Sequence, residues 1–464
     1  MAARPSIPLL ALAAALAFPA AATAHTGLRA SAPASGDTVA DTLGRVRLEF
    51  TQRVSAELTS LVLTCGGQPF AQGRLAEEPG SNGRAYVFHP PRLLPPGPCA
   101  VAWRTAAADG HAIRGAIAFT VAATLPADTA VAASPSLDSA ASQSDAAAEE
   151  DEAAWADPSS PLSVVVRWGG FMALLGMIGA AAFHLLVLRR AVRRTPSLAP
   201  VAARAVDGAW HVALAAAALS ALTLLARLWL QSAALYGPEY AFDGTSLDAI
   251  VTETVWGLGW GLQVLATVAF VVGLMVARQK HGHGVGWMGA GIAAFLLSAV
   301  PALSGHAAAV EGWTAAAILS DWMHVLGAGV WLGTLGVLLL AGLPAAASAP
   351  EGERGAAFAA LVGAFSPLAL AGAGLAGATG VISSLFHVSA VSQLWETGYG
   401  RTLLLKLALL AVVAALGFWN WRYITPALQS PVGPKRLRRN VVLELVTGTA
   451  VILVTAILVA LPPP

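Results

Sequence analysis

The sequence predicts two fold classes in one polypeptide: an N-terminal all-β, immunoglobulin-like sandwich and a C-terminal all-α membrane bundle of about eight transmembrane helices. Three observations carry this prediction. Hydrophobic residues make up 56% of the 464 residues and charged residues only 11%, against roughly 25% charged in soluble domains, and the deficit lies after residue 160. Between residues 25 and 121 short runs alternate apolar and polar side chains, the period of half-buried strands. The first 24 residues have a third pattern, that of an export signal.

The signal reads in order. Arg4 precedes an apolar run, "IPLLALAAALAFPAAATA", that closes on Ala22-Thr23-Ala24, giving the charged, apolar and small-residue regions of a cleaved signal peptide over residues 1–24. The run is short for a membrane span. Cleavage after Ala24 leaves His25 at the mature N-terminus. The two cysteines, Cys65 and Cys99, then belong to an exported segment, where a disulfide is the ordinary expectation. A thiolate metal site is the alternative, to which the absence of a CxxC spacing gives little weight.

Strands are expected at "RVRLEF" (45–50), "TSLVLTC" (59–65), "AYVFHP" (85–90), "CAVAWRT" (99–105) and "GAIAFTV" (115–121). Several short strands separated by Pro- and Gly-rich turns within about 100 residues suggest a β-sandwich over residues 25–121. Residues 122–160 are rich in Ala, Ser, Asp and Glu, include "EEDE" at 149–152 and hold no Lys or Arg. Such a stretch buries too little apolar area to offset its ordering entropy, so it reads as a flexible acidic linker; a metal-collecting role for its carboxylates is the alternative.

From 161 to 464 long apolar segments follow one another. Spans are expected near 162–188, 206–230, 255–277, 285–303, 314–341, 357–385, 402–424 and 440–461. The basic loops "RRAVRR" (189–194), "RQKHGH" (278–283) and "KRLRR" (435–439), with "EGER" (351–354), all fall on the side opposite the β domain and the acidic loop 236–253. By the positive-inside rule these loops are cytoplasmic. The chain is thus expected in a bacterial inner membrane, multi-pass, with its N-terminal domain in the periplasm and the lipid bilayer as a partner. A net charge of +1 argues against a nucleic-acid partner.

Two residue sets suggest chemistry. In "AADGHAIRGAIAFTV" (107–121), Asp109 and His111 are two apart, so on an extended backbone their side chains point the same way. Beside the mature N-terminus they would assemble the His25 imidazole, the His25 α-amine, the His111 imidazole and the Asp109 carboxylate. Nitrogen donors with one carboxylate suit tetragonal Cu(II), and the α-amine exists only after signal cleavage. The plainer reading is that Asp109-Gly110 makes a turn and His111 is a surface residue.

Residues 25–121 resemble the CopC family of periplasmic copper-binding β-sandwiches, whose fold is immunoglobulin-like or cupredoxin-like. The resemblance rests on His25, "SAPASGD" (31–37), "VRLEFTQRV" (46–54) and "VAWRTAAADGHAIRGAIAFTV" (101–121). It implies a Cu(II) site made of His25, Asp109 and His111. Gln52 stands where members often carry an acid, and none of the chain's six methionines falls between 25 and 121. One Cu(II) site and no methionine Cu(I) site are therefore expected. His89 reads as structural.

The second set lies in "SGHAAAVEGWTAAAILSDWMHVLGAGVWLGTL" (304–335). Asp321 and His324 are three apart on one span and share a face, which Trp331 continues. Ionisable groups inside a membrane are costly and by default mark a pathway or site. His306 and His387 fall near the outer ends of the fourth and sixth spans, so His306, Asp321, His324 and His387 form a candidate transmembrane copper path. The plainer reading is that Asp321 and His324 only bond neighbouring helices. Arg167, Arg227, Lys406 and Glu444 read first as interhelical pairs or snorkelling groups. His184 and His211 sit near the cytoplasmic span ends, and "HGH" (281–283) in a cytoplasmic loop; their metal readings carry little weight.

"SGHA" (304–307), "DWMHVLGAGVWLGTL" (321–335) and "YGRTLLLKLALL" (399–410) make residues 162–461 similar to the CopD family, the membrane partner of CopC. A CopC–CopD fusion is implied, with copper movement across the inner membrane, described for the family as uptake, and copper tolerance as the trait. The leading expectation is a copper transporter, not an enzyme, supplied by copper ions or periplasmic copper donors. With no GxxxxGK[ST] loop, transport is passive or ion-coupled, and the oxidation state in the bundle is open. Three alternatives stand beside it: a membrane redox protein with haem between transmembrane histidines, a copper-sequestering module on a membrane anchor, and oxygen chemistry at an N-terminal histidine copper site. Asp109 would fill the position that such oxygen chemistry needs open.

Overall fold

The computed structural model describes residues 27–122 and 159–461, apart from 41–43, 52, 55–57, 107–111, 238–240, 280, 304–312, 389 and 429–432. The proposed signal peptide and most of the acidic linker lie outside these residues.

Alternation builds the N-terminal domain. In β3 (Val46–Phe50), Val46, Leu48 and Phe50 are buried while Arg47 and Glu49 are half-exposed. The outward pair is ion-paired, Arg47 reaching Glu49 at 2.7 Å and Glu78 at 2.8 Å. One sheet has the order β1 (Leu28–Ala32), β3, β7 (Ala85–Phe88), β6 (Ala76–Glu77); the other runs β2 (Thr38–Ala40), β9 (Ala112–Ala122), β8 (Gly97–Ala106), β4 (Ser60–Cys65), β5 (Gln68–Arg74). Their inner faces share one core around Leu48, Phe50, Leu61, Leu63, Tyr86, Val101, Trp103 and Phe119.

The expected strands are all present. β5 escapes the sequence pattern because "QPFAQGR" barely alternates, yet a two-residue turn fixes its register: Gly66 and Gly67 have φ of +60° and +74°, the left-handed conformations a tight hairpin requires. Cys65 lies opposite Cys99 across β4 and β8, and the two are disulfide-bonded. The thiolate metal alternative is thereby removed.

The membrane half has eight helices long and apolar enough to cross a bilayer: α1 (Pro161–Arg194), α2 (Pro196–Tyr236), α4 (Val255–Ala277), α5 (His283–Leu303), α6 (Thr314–Ala347), α7 (Arg354–His387), α9 (Gly398–Ala427) and α10 (Gly433–Leu458). The short helices α3 (Gly244–Glu253) and α8 (Gln393–Glu396) lie between spans. Helix α3 corrects the expectation that 236–253 is only a loop. Leu247, Ile250 and Val251 recur at helical spacing, and Ile250 is buried.

Helices α1 and α6 form the enclosed centre, and α9 is the span most open to lipid. They meet through glycines: a Cβ on Gly179 would strike the Gly333 backbone, and one on Gly333 would strike the Leu175 carbonyl. Small residues permit this backbone contact, which drives helix association where lipid removes the hydrophobic contrast. Gly329–Gly333 of α6 and Phe183–Leu188 of α1 are π-helical.

Candidate metal path

His25, Asp109, His111 and His306 lie outside the described residues, so the proposed Cu(II) ligand set is read from its flanks. The Gly27 amide donates to Thr51 Oγ1 at 2.9 Å, and the Thr51 amide donates to the Gly27 carbonyl at 2.9 Å. Phe50, next to Thr51, packs edge-on against Trp103 with ring centroids 5.2 Å apart. Trp103 lies three residues before Ala106, where β8 ends, and Ala106 is paired with Ala112 at the start of β9. The chain that leads from position 25 and the connection 107–111 therefore join the sandwich at one end.

That end faces the bundle. Ser60 pairs with Arg104, and Thr59 Oγ1 lies 2.7 Å from Thr105 Oγ1, so Leu58 belongs to the same end of the sheet. Leu58 is buried in a cluster with Leu235 of α2 and Ile250 of α3, flanked by Leu228, Tyr236, Ala249 and Trp256. Strands β8 and β9 also touch α2. The β domain is seated through Leu58 and strands β8 and β9 on α2 and α3. His89 lies elsewhere, its Nδ1 2.9 Å from the Gly44 carbonyl.

Inside the bundle, the His324 Nδ1 lies 2.8 Å from the Ala376 carbonyl of α7. A carbonyl only accepts, so Nδ1 carries the proton and Nε2 keeps its lone pair, the tautomer a metal-binding imidazole needs. Gly380 leaves room for the ring, since a Cβ there would be 3.1 Å from His324 Cε1. One turn toward the outer face, Asp321 is half-buried. Lys406 of α9 is within electrostatic reach of both Asp321 and His324. Of the two readings offered for Lys406, an interhelical pair or a snorkelling group, its position near Asp321 agrees with the first.

The backbone of His387 ends α7, roughly 16 Å along the helix beyond Ala376 at 1.5 Å rise per residue, and its side chain lies outside the described residues. His324 and the backbone of His387 thus lie at different depths of the bundle. Among the described residues no three His, Cys, Asp or Glu side chains come together. Trp331 sits in an apolar cluster with Leu175, Leu332, Val413 and Ile452.

The remaining buried charges join helices through neutral partners. Arg167 donates to the Ala456 carbonyl at 2.8 Å, Arg227 to Gln263 Oε1 at 2.9 Å, and Asn420 Nδ2 to Glu444 Oε2 at 2.9 Å.

Three family models match in succession. Residues 28–122 match the CopC domain, 157–317 the N-terminal domain of copper resistance protein D-like proteins, and 359–458 copper resistance protein D. The chain is 25% identical over 452 residues to the copper transport protein CutJ of Bacillus subtilis (strain 168), covering 96% of this chain and 76% of that protein. It is 27% identical over 309 residues to copper resistance protein D of Pseudomonas syringae pv. tomato, covering 63% of this chain and 93% of that protein. Solved structures of CopC from Methylosinus trichosporium OB3b and of PcoC, a methionine-rich copper resistance protein from Escherichia coli, are 25% and 29% identical. They cover 22% and 21% of this chain and 98% of each structure, with TM-scores of 0.21 and 0.19. The first two relatives are a copper transport protein and a copper resistance protein. The chain is a fusion of the CopC–CopD copper-resistance type, a periplasmic CopC-like β-sandwich joined to a multi-pass CopD-like membrane domain.

Proposed function

We propose that this protein captures Cu(II) in the periplasm with His25, Asp109 and His111 and hands copper to the bundle for inward transport. The general role, copper transport or resistance through a periplasmic CopC-like domain and a CopD-like membrane domain, follows from the family matches. The capture site and the direction are our reading.

One observation supports the reading: Leu58 is buried between Leu235 and Ile250, so the β domain is in contact with the bundle through the end of the sheet that holds Thr59 and Thr105. Such a contact would suit direct hand-over of copper from the β domain to the bundle. Below the seat, copper passes the level of Asp321, His324 and Lys406. Asp321 offsets the charge of the ion, His324 offers Nε2, and Lys406 pairs with Asp321 when no ion is present.

The test is cellular copper, measured in strains with and without the full chain at equal external copper. Copper that rises with expression supports the proposal. A fall shows export, and no change removes transport. A Soret band in the purified protein would favour haem at the histidines instead.

A further inference from the structure

On the cytoplasmic side of the bundle a second pair of histidines meets. His184 of α1 and His283, the first residue of α5, are in edge-on contact with ring centroids 5.1 Å apart. His184 is buried, and its Nδ1 has no hydrogen-bond partner among the described residues. Trp287, one turn into α5 and itself buried, stacks on the His184 ring at 4.5 Å with planes 16° apart. His184 lies in the π-helical turn Phe183–Leu188, a distortion found frequently at functional sites. His283 is exposed, and its Nδ1 lies 3.3 Å from the Ala277 carbonyl. That carbonyl fixes the proton on Nδ1 and leaves the Nε2 lone pair free.

We infer that His184 and His283 form a two-imidazole binding site for Cu(I) at the cytoplasmic exit of the bundle. Metal–nitrogen bonds of about 2 Å place two imidazoles sharing one ion with centroids roughly 5 Å apart at a tetrahedral angle and roughly 6 Å apart when linear. From the 5.1 Å seen here, the exposed His283 ring has only to swing outward by about 1 Å to take the linear geometry of Cu(I). One nitrogen is buried without a partner, and the other ring stands at the surface, so the pair spans the step from bundle to cytoplasm.

The donor set selects the ion. His283 and Arg189 are the titratable groups within electrostatic reach of His184, and among the described residues no carboxylate accompanies them. Among the described residues no third His, Cys, Asp or Glu completes a cluster. Divalent copper and zinc take four or more donors and gain from carboxylates. Monovalent copper is satisfied by two neutral nitrogens, and it is the form that a reducing cytoplasm maintains. Trp287 holds the buried ring in place.

The site extends the inward path proposed above, and its test reads binding alone. Full-length protein in detergent, kept reduced, is titrated with Cu(I) in competition with bicinchoninate. His184→Phe, which keeps a ring to stack on Trp287, and His283→Phe on the surface should each bind one Cu(I) fewer than wild type. His184→Met, which returns a soft donor, should recover it and add a sulfur shell at about 2.3 Å to the copper X-ray absorption spectrum. Cu(II) binding by the oxidised β domain should stay unchanged in all three variants. Wild-type Cu(I) stoichiometry in His184→Phe overturns the inference; if that variant does not fold, the same result in His283→Phe overturns it. Absence of uptake in cells expressing the wild-type chain, with the variants still losing one Cu(I), would count against the transport reading and leave this pair standing.

Discussion

His324 on α6 is pinned to α7 by a bond of 2.8 Å from its Nδ1 to the Ala376 carbonyl, and this bond decides what the imidazole can do. Its Nε2 is left as the donor, held in one orientation by a backbone group that no point substitution removes. His324→Ala should lower copper flux in loaded vesicles on the order of 10-fold or more, with Cu(II) binding by the β domain unchanged. Gly380→Ala should cause a smaller loss, because its methyl would stand 3.1 Å from His324 Cε1 and tilt the ring. Equal flux in both variants would remove His324 from the path.

Leu58→Asp tests the seating of the β domain. A carboxylate placed between Leu235 and Ile250 has no partner there, and burying an unpaired charge is prohibitive, so the domain should lift from α2 and α3. The expected result is slower copper transfer with an unchanged Cu(II) affinity, together with faster amide hydrogen exchange over 244–256. Unaltered exchange in that segment would mean that the seat is not held by Leu58.

Much of this architecture was legible because it rests on local periodicity. The alternation of Val46, Leu48 and Phe50 announces a strand wherever it is read, and eight apolar stretches need no tertiary information to be spans. What stayed hidden depends on distant partners. Leu58 looks like any loop leucine until α2 and α3 are beside it. Lys406, alone in an apolar run, reads equally as an interhelical pair or a snorkelling group, and only the approach of α9 to α6 identifies Asp321 as its neighbour. Likewise His184 and "HGH" at 281–283 carry little weight separately, since 98 residues of chain lie between His184 and His283. The proposed Cu(II) ligands remain expectations read from "ATAH" and "DGH", supported by the common end at which their flanking strands meet.

The disulfide closes a loop with a sequence separation of 34. By loop-closure entropy it should stabilise the β domain by about 3–4 kcal/mol. Cys65→Ser combined with Cys99→Ser should therefore lower the thermal midpoint of the β domain markedly, and reductant should do the same to wild type while leaving the double variant unaffected. A midpoint insensitive to reductant in wild type would show that the cross-link contributes little.

Tyr86 gives the β domain a defined alkaline limit. Its hydroxyl is buried and donates to the Val54 carbonyl at 2.7 Å, and burial, with Glu77 nearby, raises its pKa from 10.0 to about 12. Between those values the unfolded chain releases a proton that the folded chain retains. The associated stability is complete below pH 10 and is lost as the pH rises toward 12. Tyr86→Phe should be less stable at neutral pH by about 1–2 kcal/mol but show a flatter dependence across that window, measured by denaturant unfolding. An equally steep alkaline decline in the variant would assign the loss to another group.

The sharpest test of the outer site changes no ligand side chain. Adding one serine ahead of His25 keeps His25, Asp109 and His111 but converts the α-amine into a peptide nitrogen, which has no lone pair to give at neutral pH. If the amine is a ligand, Cu(II) affinity should fall on the order of 100-fold or more, and the electron paramagnetic resonance spectrum should lose a nitrogen coupling. His111→Ala should cause a comparable loss while leaving the amine coupling in place. Two such variants separate the elements of the site: a loss in His111→Ala alone would keep the histidine and discard the free amino terminus. Unchanged binding in both would place the periplasmic copper site elsewhere on the β domain.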